Sequence, residues 1–274
     1  MDKNSVTTVA VTGATGFIGG ALVTELIRED GVFVKVLVRD RRKTPAAWLQ
    51  NKRVKVVEGD LHDSNSLSEL IKNAAVVYHM AAVLRIYEKN GELQKTNIDG
   101  LVALLNAITK SSQKVKLIFA SSIDATRSKS DYAKSKLRGE KLLLEVAKKK
   151  KNIEPLIVRF GNVGQAEEGV LAGVEQIIKK NNWQSHVLYY LLGNKFIYHI
   201  EKKALIKQLV KMKNTSTGLK VAELFGKEVM IKDSVAPPKK NLLAPVIFEV
   251  WKMLAKITKR GDLLIYFSLR NGPN

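Results

Sequence analysis

Val9-Ala-Val-Thr-Gly-Ala-Thr-Gly-Phe-Ile-Gly-Gly20 is the stretch on which the reading of this chain turns. Val6–Thr12 is a short run of β-branched and apolar residues, the pattern of a buried strand. Gly13, Gly16 and Gly19 follow at G-x-x-G-x-x-G spacing, and Phe17–Glu29 carries a helical pattern. Strand, glycine turn and helix in that order form the context of a dinucleotide-binding loop. Gly13 would permit the tight turn, Gly16 the approach of a pyrophosphate to the backbone, and Gly19 close packing of the helix on the sheet. The pyrophosphate would meet unpaired N–H groups at the positive end of the helix dipole.

Working outward, a valine-rich second strand, Phe33–Val38, ends at Arg39-Asp-Arg-Arg42. Arg39 lies twenty residues beyond Gly19. An acidic residue there would bind the ribose 2′-hydroxyl of NAD, whereas arginine suits the 2′-phosphate of NADP. Arg39, with Arg41 and Arg42, therefore argues for NADP(H), with NAD(H) as the alternative. Further strands are predicted at Val54–Val57, Ala74–His79, Val115–Ala120 and Pro155–Val158. Helices are predicted between them at Ser64–Lys72, Leu93–Ser111 and Asp131–Lys150, with Asp63 as an N-cap and Asn73 as a left-handed C-terminal residue. This alternation predicts an α/β fold: a doubly wound parallel sheet covered on both faces.

Tyr132-Ala-Lys-Ser-Lys136 puts a tyrosine and a lysine at i and i+4 on one helix face, and Ser122 closes the preceding strand. These groups suit carbonyl–alcohol chemistry. A tyrosine of ordinary pKa near 10 is a poor base at neutral pH, and a neighbouring ammonium, with the positive nicotinamide of an oxidised cofactor, would favour its phenolate. Tyr132 would exchange the proton, Ser122 would hydrogen-bond the substrate oxygen, and Lys136 would hold the nicotinamide ribose and bias Tyr132. His79 reads as a packed structural histidine.

At this point the chain resembles the extended and atypical short-chain dehydrogenase/reductases over about residues 6–165. The resemblance rests on Thr12-Gly-Ala-Thr-Gly-Phe-Ile-Gly19, Gly59-Asp-Leu61, His79-Met-Ala-Ala82, Asn97, Ser121-Ser122, Tyr132 with Lys136, and Arg159-Phe-Gly-Asn162. It implies a Rossmann fold and a catalytic set of Ser122, Tyr132 and Lys136. For the cofactor it implies the loop residues Gly13, Thr15, Gly16, Phe17, Ile18 and Gly19, then Arg39. Asp60 and Leu61 would lie along the adenine, Ala81 and Ala82 would line the cleft, and Val163 would flank the nicotinamide beside Tyr132 and Lys136. Asn97 would be a supporting polar residue. Val36-Leu-Val-Arg-Asp40 is similar to the NADP-preferring reductases related to dihydroflavonol reductases. The chain departs from the family in three ways. Only nine residues separate Ser122 from Tyr132, Phe160 replaces the common proline, and no Thr-Asp-Glu triplet closes the fifth strand, which counts against a sugar-nucleotide 4,6-dehydratase.

Beyond Gly164 the pattern weakens. Helices are predicted at Val170–Lys180 and Lys202–Lys213, strands at Phe196–Ile200 and Lys227–Lys232, and an amphipathic helix at Val246–Ile257 after a break at Pro237-Pro238. The reading places a nucleotide-binding domain at 1–165 and a small mixed substrate lobe at 166–274.

The 274 residues carry 46 Lys+Arg against 26 Asp+Glu, a formal net charge of +20, and no cysteine. Disulfides, thiolate metal ligands and a cysteine nucleophile are thereby excluded. No signal-like N-terminus and no membrane-length apolar run is read, so a cytoplasmic protein is expected. The scattered lysines read chiefly as a solvated basic surface.

The leading reading is an NADP(H)-dependent oxidoreductase that interconverts an alcohol and a carbonyl on a small or medium organic substrate. A nucleotide-sugar epimerase with tightly held NAD, and a non-catalytic NADP(H)-binding protein, are the alternatives. No specific nucleic acid is expected; an anionic or membrane surface and a second copy of the chain are the other candidate partners.

Overall fold

The computed structural model describes residues 6–84, 91–165, 168–169, 196–215, 221–224 and 227–230. The helices predicted at Val170–Lys180 and Val246–Ile257, and the Pro237-Pro238 break, lie outside them.

The strand–helix alternation read from the sequence builds one parallel sheet. In chain order come β1 (Thr7–Thr12), α1 (Phe17–Arg28), β2 (Val32–Val38), a short α2 (Ala46–Leu49), β3 (Val54–Glu58), α3 (Ser64–Ile71) and β4 (Val76–His79). A single turn, α4 (Glu92–Gln94), runs through a wider π-helical turn, Lys95–Asp99, into α5 (Gly100–Lys110). Then follow β5 (Val115–Ser122), α6 (Asp131–Lys149) and β6 (Ile153–Phe160). After them come β7 (Asn162–Gln165), β8 (Glu168–Gly169), β9 (Phe196–Glu201), α7 (Lys202–Met212), β10 (Val221–Leu224) and β11 (Lys227–Met230).

The seven-stranded sheet runs β10-β6-β5-β4-β1-β2-β3 with every neighbour parallel. Strand order reverses between β1 and β4, which opens a crevice outside their carboxyl ends. Side chains alternate across the sheet. Val77 and Leu117 enter the core built with Leu101, Leu104 and Ile108 of α5. Tyr78 and Lys116 point to the other face, where the Tyr78 hydroxyl donates to the Leu209 carbonyl of α7 at 2.8 Å.

Two strand lysines explain why cations sit inside this sheet. Lys35 on β2 is buried, and its Nζ donates to the Glu69 and Lys72 carbonyls at the end of α3 (2.7 and 2.8 Å). Lys116 on β5 does the same for α7, at the Lys213 and Thr215 carbonyls (3.0 and 2.6 Å). Each satisfies carbonyls that a helix end leaves unpaired. The expected caps of α3 are present: Asp63 Oδ1 accepts from the Asn65 N–H at 2.9 Å, and Asn73 has φ +62°.

The chain groups into two compact units, residues 1–160 with 202–224, and residues 161–201 with 225–274. Where the sequence reading drew one linear boundary at 165, α7 and β10 group with the first unit. In the second unit β11-β9-β7-β8 form a four-stranded sheet, with β9 antiparallel to β11 and parallel to β7. Among the described residues no helix is long and apolar enough to cross a membrane.

Candidate active site

Gly13 sits at the end of β1 with φ +67°, and a Cβ there would come within 2.5 Å of the Ala81 nitrogen. The ends of β1 and β4 therefore touch backbone to backbone, which only glycine allows. A Cβ on Gly19 would overlap the Gly13 carbonyl, so the helix lies directly on the turn. Gly16 is the N-cap of α1 and supplies no side-chain cap, which leaves first-turn N–H groups suited to an anion. A Cβ on Gly16 would meet only the Gly13 carbonyl, at 3.2 Å, so protein atoms do not crowd that approach. The loop thus fits a dinucleotide pyrophosphate. Thr15 is exposed, Ile18 is half-buried, and Phe17 lies under the Lys202 ammonium, 4.4 Å from the ring centroid.

Arg39 follows β2, one strand over from the glycine turn. It is exposed and has no hydrogen bond or ion pair among the described residues. Arg42 differs: its Nε and Nη2 hold both Asp40 oxygens at 2.9 and 3.1 Å, so its charge is already matched. Asp60, after β3, accepts from the His62 N–H at 2.7 Å. The Leu61 side chain turns into the hydrophobic core against Gly100.

His79, Ala81 and Ala82 extend from β4. His79 is buried, with Nδ1 2.7 Å from the Thr12 hydroxyl and its ring stacked on Phe119 at 5.8 Å. Burial, and then the nearby Lys136, push its pKa down to about 3, so it is neutral. Asn97, on the π-helical turn, holds the next segment: its Oδ1 accepts from the Val83 N–H at 2.8 Å and its Nδ2 donates to the Val83 carbonyl at 3.1 Å. The same Nδ2 donates to the Ser135 hydroxyl at 3.1 Å, and Ser135 donates to the Tyr132 carbonyl at 2.7 Å. Asn97 thereby fastens the β4 extension to the first turn of α6. Ser135 went unremarked in the sequence, since a serine inside Tyr132…Lys136 has no signal of its own.

Ser122 is buried at the end of β5, where its Oγ accepts from the Asp124 N–H at 3.1 Å. α6 starts from the N-cap Ser130, whose hydroxyl accepts from Ala133 at 3.2 Å, and brings in Tyr132 and Lys136. Lys136 is buried, donates to the Ala120 carbonyl at 2.8 Å, and lies 5.8 Å from the Tyr132 ring centroid and 5.1 Å from that of Phe119. Burial lowers its pKa to about 8, opposed by the Glu140 carboxylate. In the chain alone, burial, followed by the Asp124 carboxylate, pushes the Tyr132 pKa up. Val163 lies in the second unit, buried on β7 and paired with Ile200 of β9.

The sequence profile of the NAD dependent epimerase/dehydratase family matches residues 9–178. Over 133 residues the chain is 38% identical to a ceramide reductase from Caulobacter vibrioides, covering 48% of this chain and 40% of that protein. It is 32% identical over 133 residues to dihydroflavonol 4-reductase from Gerbera hybrida, covering 44% of this chain and 35% of that one. It therefore spans less than half the length of these two relatives. The crystal structure of UDP-glucuronic acid 4-epimerase from Bacillus cereus, with UDP-glucuronic acid and NAD, shares the fold at a TM-score of 0.66 and 22% identity, covering 92% of this chain and 83% of that one.

Proposed function

The chain belongs to the NAD dependent epimerase/dehydratase family, whose members are NAD(P)-dependent oxidoreductases and epimerases of the extended short-chain type, and from that premise we propose that it is an NADP(H)-dependent reductase of a small or medium organic carbonyl compound. The observation that carries the reading is the set Ser122, Tyr132 and Lys136 at the end of β5 and the first turns of α6, with Lys136 buried against the Ala120 carbonyl and beside the Tyr132 ring.

When bound, the nicotinamide cofactor supplies hydride exchange with carbon. The turn at Gly13–Gly19 would hold its pyrophosphate, the exposed Arg39 would meet a 2′-phosphate, and Lys136 would hold the nicotinamide ribose. The Ser122 hydroxyl donates a hydrogen bond to the substrate carbonyl and polarises it. Tyr132 delivers its proton to the developing alkoxide in reduction and takes it back in the reverse oxidation. Lys136, with its pKa near 8, remains mostly ammonium at neutral pH and stabilises the phenolate that this transfer leaves behind.

Titration of the purified protein with NADPH and NADH, followed by nicotinamide fluorescence, tests the cofactor half of this reading. Tight binding with NADPH preferred supports it. Tight NAD binding without that preference would point to an epimerase, and binding of neither would leave the glycine turn as architecture. For the chemical half, Tyr132→Phe is expected to bind NADPH within about twofold of wild type and to lose at least about a hundredfold in turnover.

A further inference from the structure

α6 is fastened to β5 at two successive residues. Lys136 Nζ donates to the Ala120 carbonyl at 2.8 Å, and one helical turn later the Glu140 carboxylate accepts from the Ser121 hydroxyl at 2.5 Å. The next residue of β5 is Ser122. Glu140 is 3% exposed, a carboxylate that needs charged partners to remain there. Arg159 on β6 supplies them in two parallel bonds, Nε to Oε1 at 2.8 Å and Nη2 to Oε2 at 2.5 Å. Arg159 lies opposite Ser121 in the β5–β6 register and opposite Glu223 in the β6–β10 register. Its Nη1 donates to Glu223 at 3.0 Å. One buried carboxylate thus joins α6 to β5 and β6, and Arg159 carries the link on to β10.

Tyr132, Lys136 and Glu140 stand at i, i+4 and i+8, on one face of α6. A slip of the helix by one residue would shift that face by about 1.5 Å and rotate it by about 100°. We propose that Glu140 is a positioning residue of the active site: clamped between Ser121 and Arg159, it sets the register of α6 on β5 and so aligns Tyr132 and Lys136 with Ser122. The proposal rests on reading those three residues as the catalytic group, whereas the clamp itself can be tested without turnover.

The test separates positioning from mere support. A buried ion pair that only holds a fold together is replaceable by apolar residues of similar volume. Glu140→Gln, and the double variant Glu140→Met with Arg159→Met, are compared with wild type by thermal unfolding and by NMR of lysine labelled at Cε. Lys136→Met assigns the signal. The groups facing Lys136 are Tyr132 and Glu140 from α6 and the neutral His79 from β4, with Asp124 beyond Tyr132. In wild type the Lys136 ε-methylene signal is expected to be displaced by the rings of Phe119 and Tyr132, whose centroids lie 5.1 and 5.8 Å from Nζ. In both variants that ring-induced displacement is expected to fall by at least about half. The double variant is expected to do so while melting close to wild type. A folded double variant that keeps the displacement would overturn the proposal. NADPH titration in parallel keeps the two ideas apart. Failure of wild type to bind either nicotinamide would refute the catalytic reading, while the Lys136 signal would still decide the register.

Discussion

Arg39 and Arg42 stand three residues apart and differ in what their charge is free to do. Arg42 is closed on Asp40 by two bonds, while the exposed Arg39 guanidinium, just past the end of β2, has no partner among the described residues. If Arg39 reads the 2′-phosphate, Arg39→Ala should weaken NADPH binding about tenfold or more and NADH binding less than about threefold. Equal losses, by fluorescence titration, would remove Arg39 from cofactor choice. Asp124 carries the second expectation at this scale. Its carboxylate is one cause of the raised Tyr132 pKa, so Asp124→Asn should move the Tyr132 titration down, visible as the tyrosine ring-carbon shift against pH. No movement would mean that burial alone keeps the phenol protonated. The candidacy of Arg39 was legible from its place twenty residues beyond Gly19, but its difference from Arg42 and the part played by Asp124 were not. Asp124 has no spacing that marks it, and the arginines differ only in whether a neighbouring carboxylate folds back on them.

The elements themselves were largely legible, because strands buried on both faces read as unbroken runs of valine, isoleucine and leucine. β1 through β6 appear where such runs occur, with ends shifted by a residue or two. β10 was missed. Val221–Leu224 is short and contains Glu223, and it becomes a strand by pairing with β6, which a local pattern does not report. Glu140 was hidden for the opposite reason. In a lysine-rich helix it reads as part of a solvated face, and its partner Arg159 lies nineteen residues away. Lys35 and Lys116 likewise look like breaks in apolar strands until the helix ends they cap are in place. α1 packs directly on the glycine turn. Gly19→Ala, whose methyl would overlap the Gly13 carbonyl, should cost about 1–3 kcal/mol in urea unfolding. Gly20→Ala, where the nearest atom is the Ala14 carbonyl at 3.4 Å, should be far milder.

At the scale of the whole molecule the buried histidine makes stability depend on pH. The folded His79 pKa lies near 3 against an ordinary 6.5, so below 6.5 the unfolded chain binds a proton that the folded chain refuses. Its contribution is complete above pH 6.5 and is lost as pH falls toward 3, at about 1.4 kcal/mol per pH unit. Between pH 6.5 and 5, before most carboxylates titrate, unfolding free energy should drop by about 2 kcal/mol. His79→Gln should flatten that limb, and an unchanged slope would place the acid sensitivity elsewhere. Lys136 acts in the alkaline range. The folded chain releases its proton near pH 8 and the unfolded chain near 10.5, so its contribution to stability rises with pH between those values.

The grouping of residues 202–224 with the first unit has a consequence for how the molecule is made. A chain leaving the ribosome reaches β6 at residue 160 with the outer side of that strand unpaired and the Tyr78 hydroxyl without its acceptor. Both deficits persist while residues 161–201 are synthesised, and they close only when α7 and β10 arrive. The nucleotide-binding half therefore cannot finish folding before most of the other half has been translated, and a fragment stopped at 165 would emerge with a sticky strand edge.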